Sequence, residues 1–131
     1  MDMHHDVEQE KALSITSIST NTTTNGDTID MQGYKSIEFV LLSGTIADGS
    51  YAVTVQEGDL ADGSDMANVA SDLVLGSADF AAADDNVAKR IGSLGKKRYQ
   101  RITITSTSVT TGGTLSAIAV LGFPSSAPVA D

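Results

Sequence analysis

His4 and His5 stand side by side near the start of the chain, and adjacent imidazoles are half of a transition-metal site. A zinc centre needs three or four ligands, and the sequence has no cysteine and no third histidine to complete one. Asp59, Asp62 and Asp65 recur every three residues beside Gly63, which is oxygen-donor chemistry suited to a hard cation such as calcium. Their spacing is not that of an EF-hand loop and its closing glutamate is missing, so an acidic surface loop is the expected outcome. Asp84 and Asp85 offer paired carboxylates. Acid–base catalysis would need a cleft that drives their pKa values apart, whereas neighbours on an exposed turn point to different sides. Serines are plentiful, but no GxSxG elbow accompanies them, and neither a GxxxxGK(S/T) phosphate loop nor a GxGxxG turn is present. The Asn21-Thr22-Thr23 triplet matches a glycosylation acceptor without a secretory signal to give it meaning. The expectation is a protein that is not an enzyme and needs no metal or cofactor.

The elements available to position any site are strands. In residues 33–58, Ile37, Phe39 and Leu41 alternate with polar or smaller residues, and Tyr51, Val53 and Val55 do the same after a break. Period-two alternation gives each segment one apolar face. Ser43-Gly44 and Asp48-Gly49 supply turn residues between them, which predicts a central β-hairpin. Residues 12–20 read as a first strand in which Ile18 falls out of phase, the mark of a bulge or of the end of pairing. Asn25-Gly26 is a turn, and residues 28–30 a short strand. Ser64 and Asp65 are placed to cap a brief helix through Ala70. Further strands are expected over 72–75, 87–94, 98–106 and 115–123. Along 98–106, Gln100, Ile102 and Ile104 share one face, while Tyr99, Arg101, Thr103 and Thr105 share the other. Along 115–123 both faces are apolar, because Ile118 and Val120 oppose Leu115, Ala117, Ala119 and Leu121. That strand must be covered on both sides, inside the fold or at a subunit contact. The count of seven to eight strands with short turns predicts an all-β antiparallel sandwich, jelly-roll-like, over residues 12–131. Residues 1–11 are polar and are expected to form a flexible arm.

The 131 residues suit one domain and, with no cysteine, a core that holds without disulfides. The longest apolar run is far short of the roughly 20 residues that span a bilayer, and the start lacks the charge and apolar pattern of a signal peptide. A chain made in a cytoplasm and carrying no membrane contact is expected. Its net charge of −9 argues against nucleic-acid binding by the molecule as a whole. Six of the eight basic residues, among them Lys96, Lys97, Arg98 and Arg101, fall within thirteen positions, and no acid occurs between Asn86 and Ala130. Arginine and tyrosine are enriched at interface hot spots. The candidate contact residues are therefore Arg98, Tyr99, Arg101, Lys96, Lys97, Ile118 and Val120.

Three segments resemble, in the same order, a family of small virion proteins of tailed bacteriophages. They are residues 29–51, IDMQGYKSIEFVLLSGTIADGSY; residues 84–104, DDNVAKRIGSLGKKRYQRITI; and residues 119–129, AVLGFPSSAPV. The resemblance covers close to half the chain. It implies a small all-β protein carried on the mature particle, and a capsid decoration (cement) protein that assembles as trimers on the major capsid protein at the outer surface of the head. It transfers no catalytic residue. The alternative it leaves open is a β-rich tail, collar or fibre module that binds a host surface.

Overall fold

The structure, a computed structural model, describes residues 3–124. Eleven strands form: β1 Val7–Ile18, β2 Thr23–Asn25, β3 Ile29–Asp30, β4 Tyr34–Ile46, β5 Ser50–Gly58, β6 Ala67–Asn68, β7 Val74–Leu75, β8 Phe80–Ala81, β9 Ala88–Ser93, β10 Tyr99–Thr107 and β11 Gly113–Pro124. One sheet has the order β1-β11-β4-β9-β7. The other runs β2-β10-β5-β6, with β3 also beside β10 and β8 also beside β5. Every pairing is antiparallel. Since β2 and β3 occupy one strand position along β10, and β6 and β8 one along β5, the main strands reduce to eight positions with β7 as an addition. Early and late strands interleave in both sheets, which is the wrapped order of a jelly roll.

The core lies between the sheets and is built from the alternations visible in the sequence. Ile37, Phe39 and Leu41 of β4 are buried against Tyr51, Val53 and Val55 of β5, with Ile102 and Ile104 of β10 and Leu115, Ala117, Ala119 and Leu121 of β11 completing the layer. Phe80, a lone aromatic in an alanine-rich stretch, is also buried there.

Three expectations need correction. β4 and β5 do not form a hairpin: β4 pairs with β11 and β9, whereas β5 pairs with β10, β6 and β8. The chain arches from one sheet to the other at Ala47–Gly49, where Gly49 has φ +96°. Ser43 and Gly44 stay within β4. An arch and a hairpin both need two strands with one apolar face each, so alternation does not separate them. The supposed arm is also shorter than eleven residues. β1 begins at Val7, and Val7–Lys11 pairs with Gly122–Ile118. Backbone hydrogen bonds order this stretch although its side chains are polar, as suits a strand at a sheet edge. Register shifts between Lys11 and Leu13 and between Leu13 and Thr16 re-phase the strand, so Ala12, Leu13 and Ile18 all reach the interior. Finally, residues 64–70 are not helical. Ala67 and Asn68 pair with Glu57 and Gln56, and Val69 donates its N–H to Val55 at 2.9 Å. A run this short does not repay the cost of helix nucleation.

Leu41 and Leu42 are adjacent and face opposite ways: Leu41 is fully buried, Leu42 is 53% exposed. Leu41→Ala is expected to cost about 2–5 kcal/mol of unfolding free energy and Leu42→Ala to stay within about 0.5 kcal/mol. Urea titration of the two variants checks this.

Candidate functional site

The acidic residues of the loops act mainly as acceptors for loop amides. Asp48 takes the N–H groups of Thr110, Thr111 and Gly112 at 2.9 to 3.2 Å, and these bonds hold its carboxyl below the ordinary value of 3.8. Asp65 takes the amides of Asp59 and Leu60 at 2.8 and 3.2 Å, and Asp62 that of Ser64 at 3.0 Å. Asp62 and Asp65 are thus turned onto their own loop, while the Asp59 carboxylate lies 3.8 Å from the Lys97 ammonium. Asp84 accepts from the amide of Ala81 and pairs with the Lys89 ammonium at 3.2 Å, while Asp85 reaches the amide of Ile46 at 2.7 Å. The two neighbours therefore serve different partners. His4 and His5 meet edge to face with ring centroids 4.9 Å apart in the turn ahead of β1. Among the described residues, no three histidine or acidic side chains are grouped to hold a metal ion.

The seven candidate contact residues fall on opposite sheets. Arg98, just ahead of β10, forks onto Asp30 with both N–O distances 2.9 Å and reaches Gln32 Oε1 at 2.7 Å. This pairing raises the Arg98 pKa and lowers that of Asp30, with the hydrogen bond the leading cause for each. The guanidinium also lies 5.0 Å from the centre of the Tyr99 ring, and Arg101 Nε donates to Gln56 Oε1 at 3.0 Å. Glu57 Oε1 accepts the backbone amides of both Lys96 and Lys97 at 3.1 Å. Lys97 Nζ lies 3.8 Å from Asp59. The arginines are therefore committed within the chain. Ile118 and Val120 belong to β11, in the middle of the other sheet.

The two outer faces differ. On the β10 sheet, threonines and amides stand opposite one another: Thr103 between Thr54 and Asn25, Arg101 beside Gln56. On the β11 sheet, one row holds Lys11, Ile118, Val40 and Arg90, and the next holds Gln9, Val120, Glu38 and Gly92. Leu42, Leu75 and Ile118 on this face are 53, 50 and 46% exposed. The expected second cover for β11 is not supplied by this chain's described residues.

Neither protein-family models nor curated proteins match this chain.

Where β1 and β4 begin and β9 and β11 end, a groove of about 730 Å³ opens on the apolar face, lined by Val7, Val120, Leu75, Leu94, Phe123 and Lys35 among others. A second cleft, of about 550 Å³, shares Lys35 and Leu94 and adds Tyr34, Lys96, Lys97 and Arg98. The loop carrying the lysines is held from inside by Gln100, fully buried, whose Nε2 donates to the Gly95 carbonyl at 3.1 Å. Of the residues singled out from the sequence, Val120, Lys96, Lys97 and Arg98 line these clefts; Lys35, Leu75, Leu94 and Phe123 were missed because they lie far apart along the chain. Among the described residues no helix is long and apolar enough to cross a membrane.

The carboxylates of Asp48, Asp62, Asp65 and Asp84 all have lowered pKa values, each with a backbone hydrogen bond as the leading cause. A depressed folded-state pKa stabilises above the unfolded value and is lost as pH falls through the folded one. The urea midpoint is expected to hold near neutrality and to fall below the ordinary carboxyl value of 3.8. Asp48→Ala should flatten part of that fall and speed hydrogen exchange at Thr110–Gly112. Unchanged exchange there would show that the carboxylate does not hold this loop.

Proposed function

We propose that this chain is a structural protein of a tailed-bacteriophage virion: a capsid decoration (cement) protein on the head exterior that binds the major capsid protein and self-associates, as trimers. The observation that carries this reading is the outer face of the β11 sheet, where Ile118, Leu42 and Leu75 are exposed, Val40 and Val120 are half-buried, and no cover is supplied among the described residues. Contiguous exposed apolar surface marks a contact site. The resemblance of residues 29–51, 84–104 and 119–129 to small virion proteins names the setting, and the three segments contribute β4, β9 and the end of β11 to this sheet. The rest of the molecule is consistent with a role that performs no reaction. Many of its carboxylates fasten loop amides, and its other outer face carries threonines with Arg101, Gln56 and Asn25.

The physical rationale is mass action. A protein that binds only the expanded shell shifts the equilibrium toward that shell in proportion to its occupancy. A sandwich with its inner core complete can also offer an outer face without unfolding.

Two measurements test this. Quantitative mass analysis of purified particles should find the chain at on the order of hundreds of copies, matching a closed symmetric lattice. Tens of copies would move it to the tail, collar or fibre, and none would end the virion reading. Ile118→Asp should leave the thermal melt of the isolated chain nearly unchanged, because the side chain is exposed, and should abolish self-association in light scattering or occupancy on particles. Retention of both would remove this face from the assembly.

A further inference from the structure

The two clefts at the β10-start end share Lys35 and Leu94 and so form one trough. Its apolar groups are unusually open for a chain with a complete core: Leu75 is 50%, Leu94 49% and Phe123 75% exposed. Phe123 also has φ +51°, a conformation that bulky residues rarely adopt, and it holds the ring at the rim. Four of the eight basic side chains of this acidic protein, Lys35, Lys96, Lys97 and Arg98, line the same trough. Arg98 and Lys97 are paired with Asp30 and Asp59, but among the described residues the ammonium groups of Lys35 and Lys96 have no carboxylate partner.

We propose that this trough binds an extended acidic segment of a neighbouring protein, with its apolar side chains on Leu75, Leu94 and Phe123 and its carboxylates at Lys35 and Lys96. An extended segment suits the site because alternate side chains point to opposite sides, which separates apolar from charged groups. The apolar floor favours a peptide over a phosphodiester chain. Asp6 and Glu38 line the apolar cleft and would repel a continuous run of negative charge, so the segment's carboxylates are confined to the cleft lined by Lys35 and Lys96. The inference deepens the structural-protein reading by naming a contact; it shares Leu75 and Val120 with the Ile118 face, but its charged residues, Lys35 and Lys96, and its Leu94 and Phe123 lie outside the residues named for that face.

The test uses the full chain and a short fluorescein-labelled peptide of alternating aspartate and leucine, read by fluorescence anisotropy. Saturable binding that weakens with salt is expected, and the paired charge reversal Lys35→Glu with Lys96→Glu should raise Kd about tenfold or more. Leu94→Ser should weaken binding without altering its salt dependence. All three positions are exposed, so unchanged circular dichroism melts will establish that the variants fold. Binding of an all-aspartate peptide or of single-stranded DNA with equal or greater affinity would overturn the proposal, as would a Kd indifferent to the charge reversal or no binding at all. Particle occupancy of the charge-reversed chain separates the two readings. Lost peptide binding with full occupancy sinks the trough alone, and peptide binding by a chain absent from particles sinks the virion role alone.

Discussion

A chain that wraps two sheets around one core has to cross between them, and at Asp48 two of those crossings are tied together. The β4–β5 arch turns at Ala47–Gly49, and the Asp48 carboxylate within it accepts three amides from the loop that carries the chain from β10 to β11. The same arch is held twice more: Ala47 donates its N–H to the Gly112 carbonyl at 2.9 Å, and the buried Tyr51 hydroxyl donates to the Asp48 carbonyl, also at 2.9 Å. Gly112 has φ +100°, and a Cβ there would run into the Ile18 carbonyl, so the end of β1 is packed against the same point. Three chain segments meet at one corner. The pairing of β11 with β4 and of β10 with β5 depends on these two arches crossing in step.

The same device recurs around the molecule and accounts for much of its acidic composition. Asp79 fastens the amide of Val53, Asp85 that of Ile46, Glu57 those of Lys96 and Lys97, and Asp65 those of Asp59 and Leu60. Short edge strands such as β6, β7 and β8 bury little of their own, and carboxylate-to-amide bonds hold the loops that carry them. Charge-assisted hydrogen bonds of this kind are stronger than neutral ones. A surface that looks as though it were made to bind cations is thus largely engaged with its own backbone. What the described residues leave open is the reverse: an apolar sheet face and a small set of cations.

Several features were legible because they are local. The inward faces of β4, β5, β10 and β11 follow from alternation, and residues 115–121 of β11 were recognised as apolar on both sides. Even the bulge that returns Ile18 to the interior left a mark as a phase error. The arch was misread because pairing partners are not encoded in alternation. Val7–Lys11 was taken for a loose arm because its order comes from backbone bonding to β11, to which side-chain type is nearly blind. The partners of Arg98 and Arg101, Asp30 and Gln56, were not legible because they are remote in sequence.

Side-chain polarity at period two, glycine and aspartate at the turns, and the absence of cysteine are properties of neighbouring residues, and they were enough to settle an all-β sandwich with an identifiable inner layer. Which strands lie side by side, which carboxylate meets which amide, and which leucines and lysines share a trough are long-range facts. They follow from loop closure and from competition for a limited number of backbone partners, and only the assembled sheets resolve that competition.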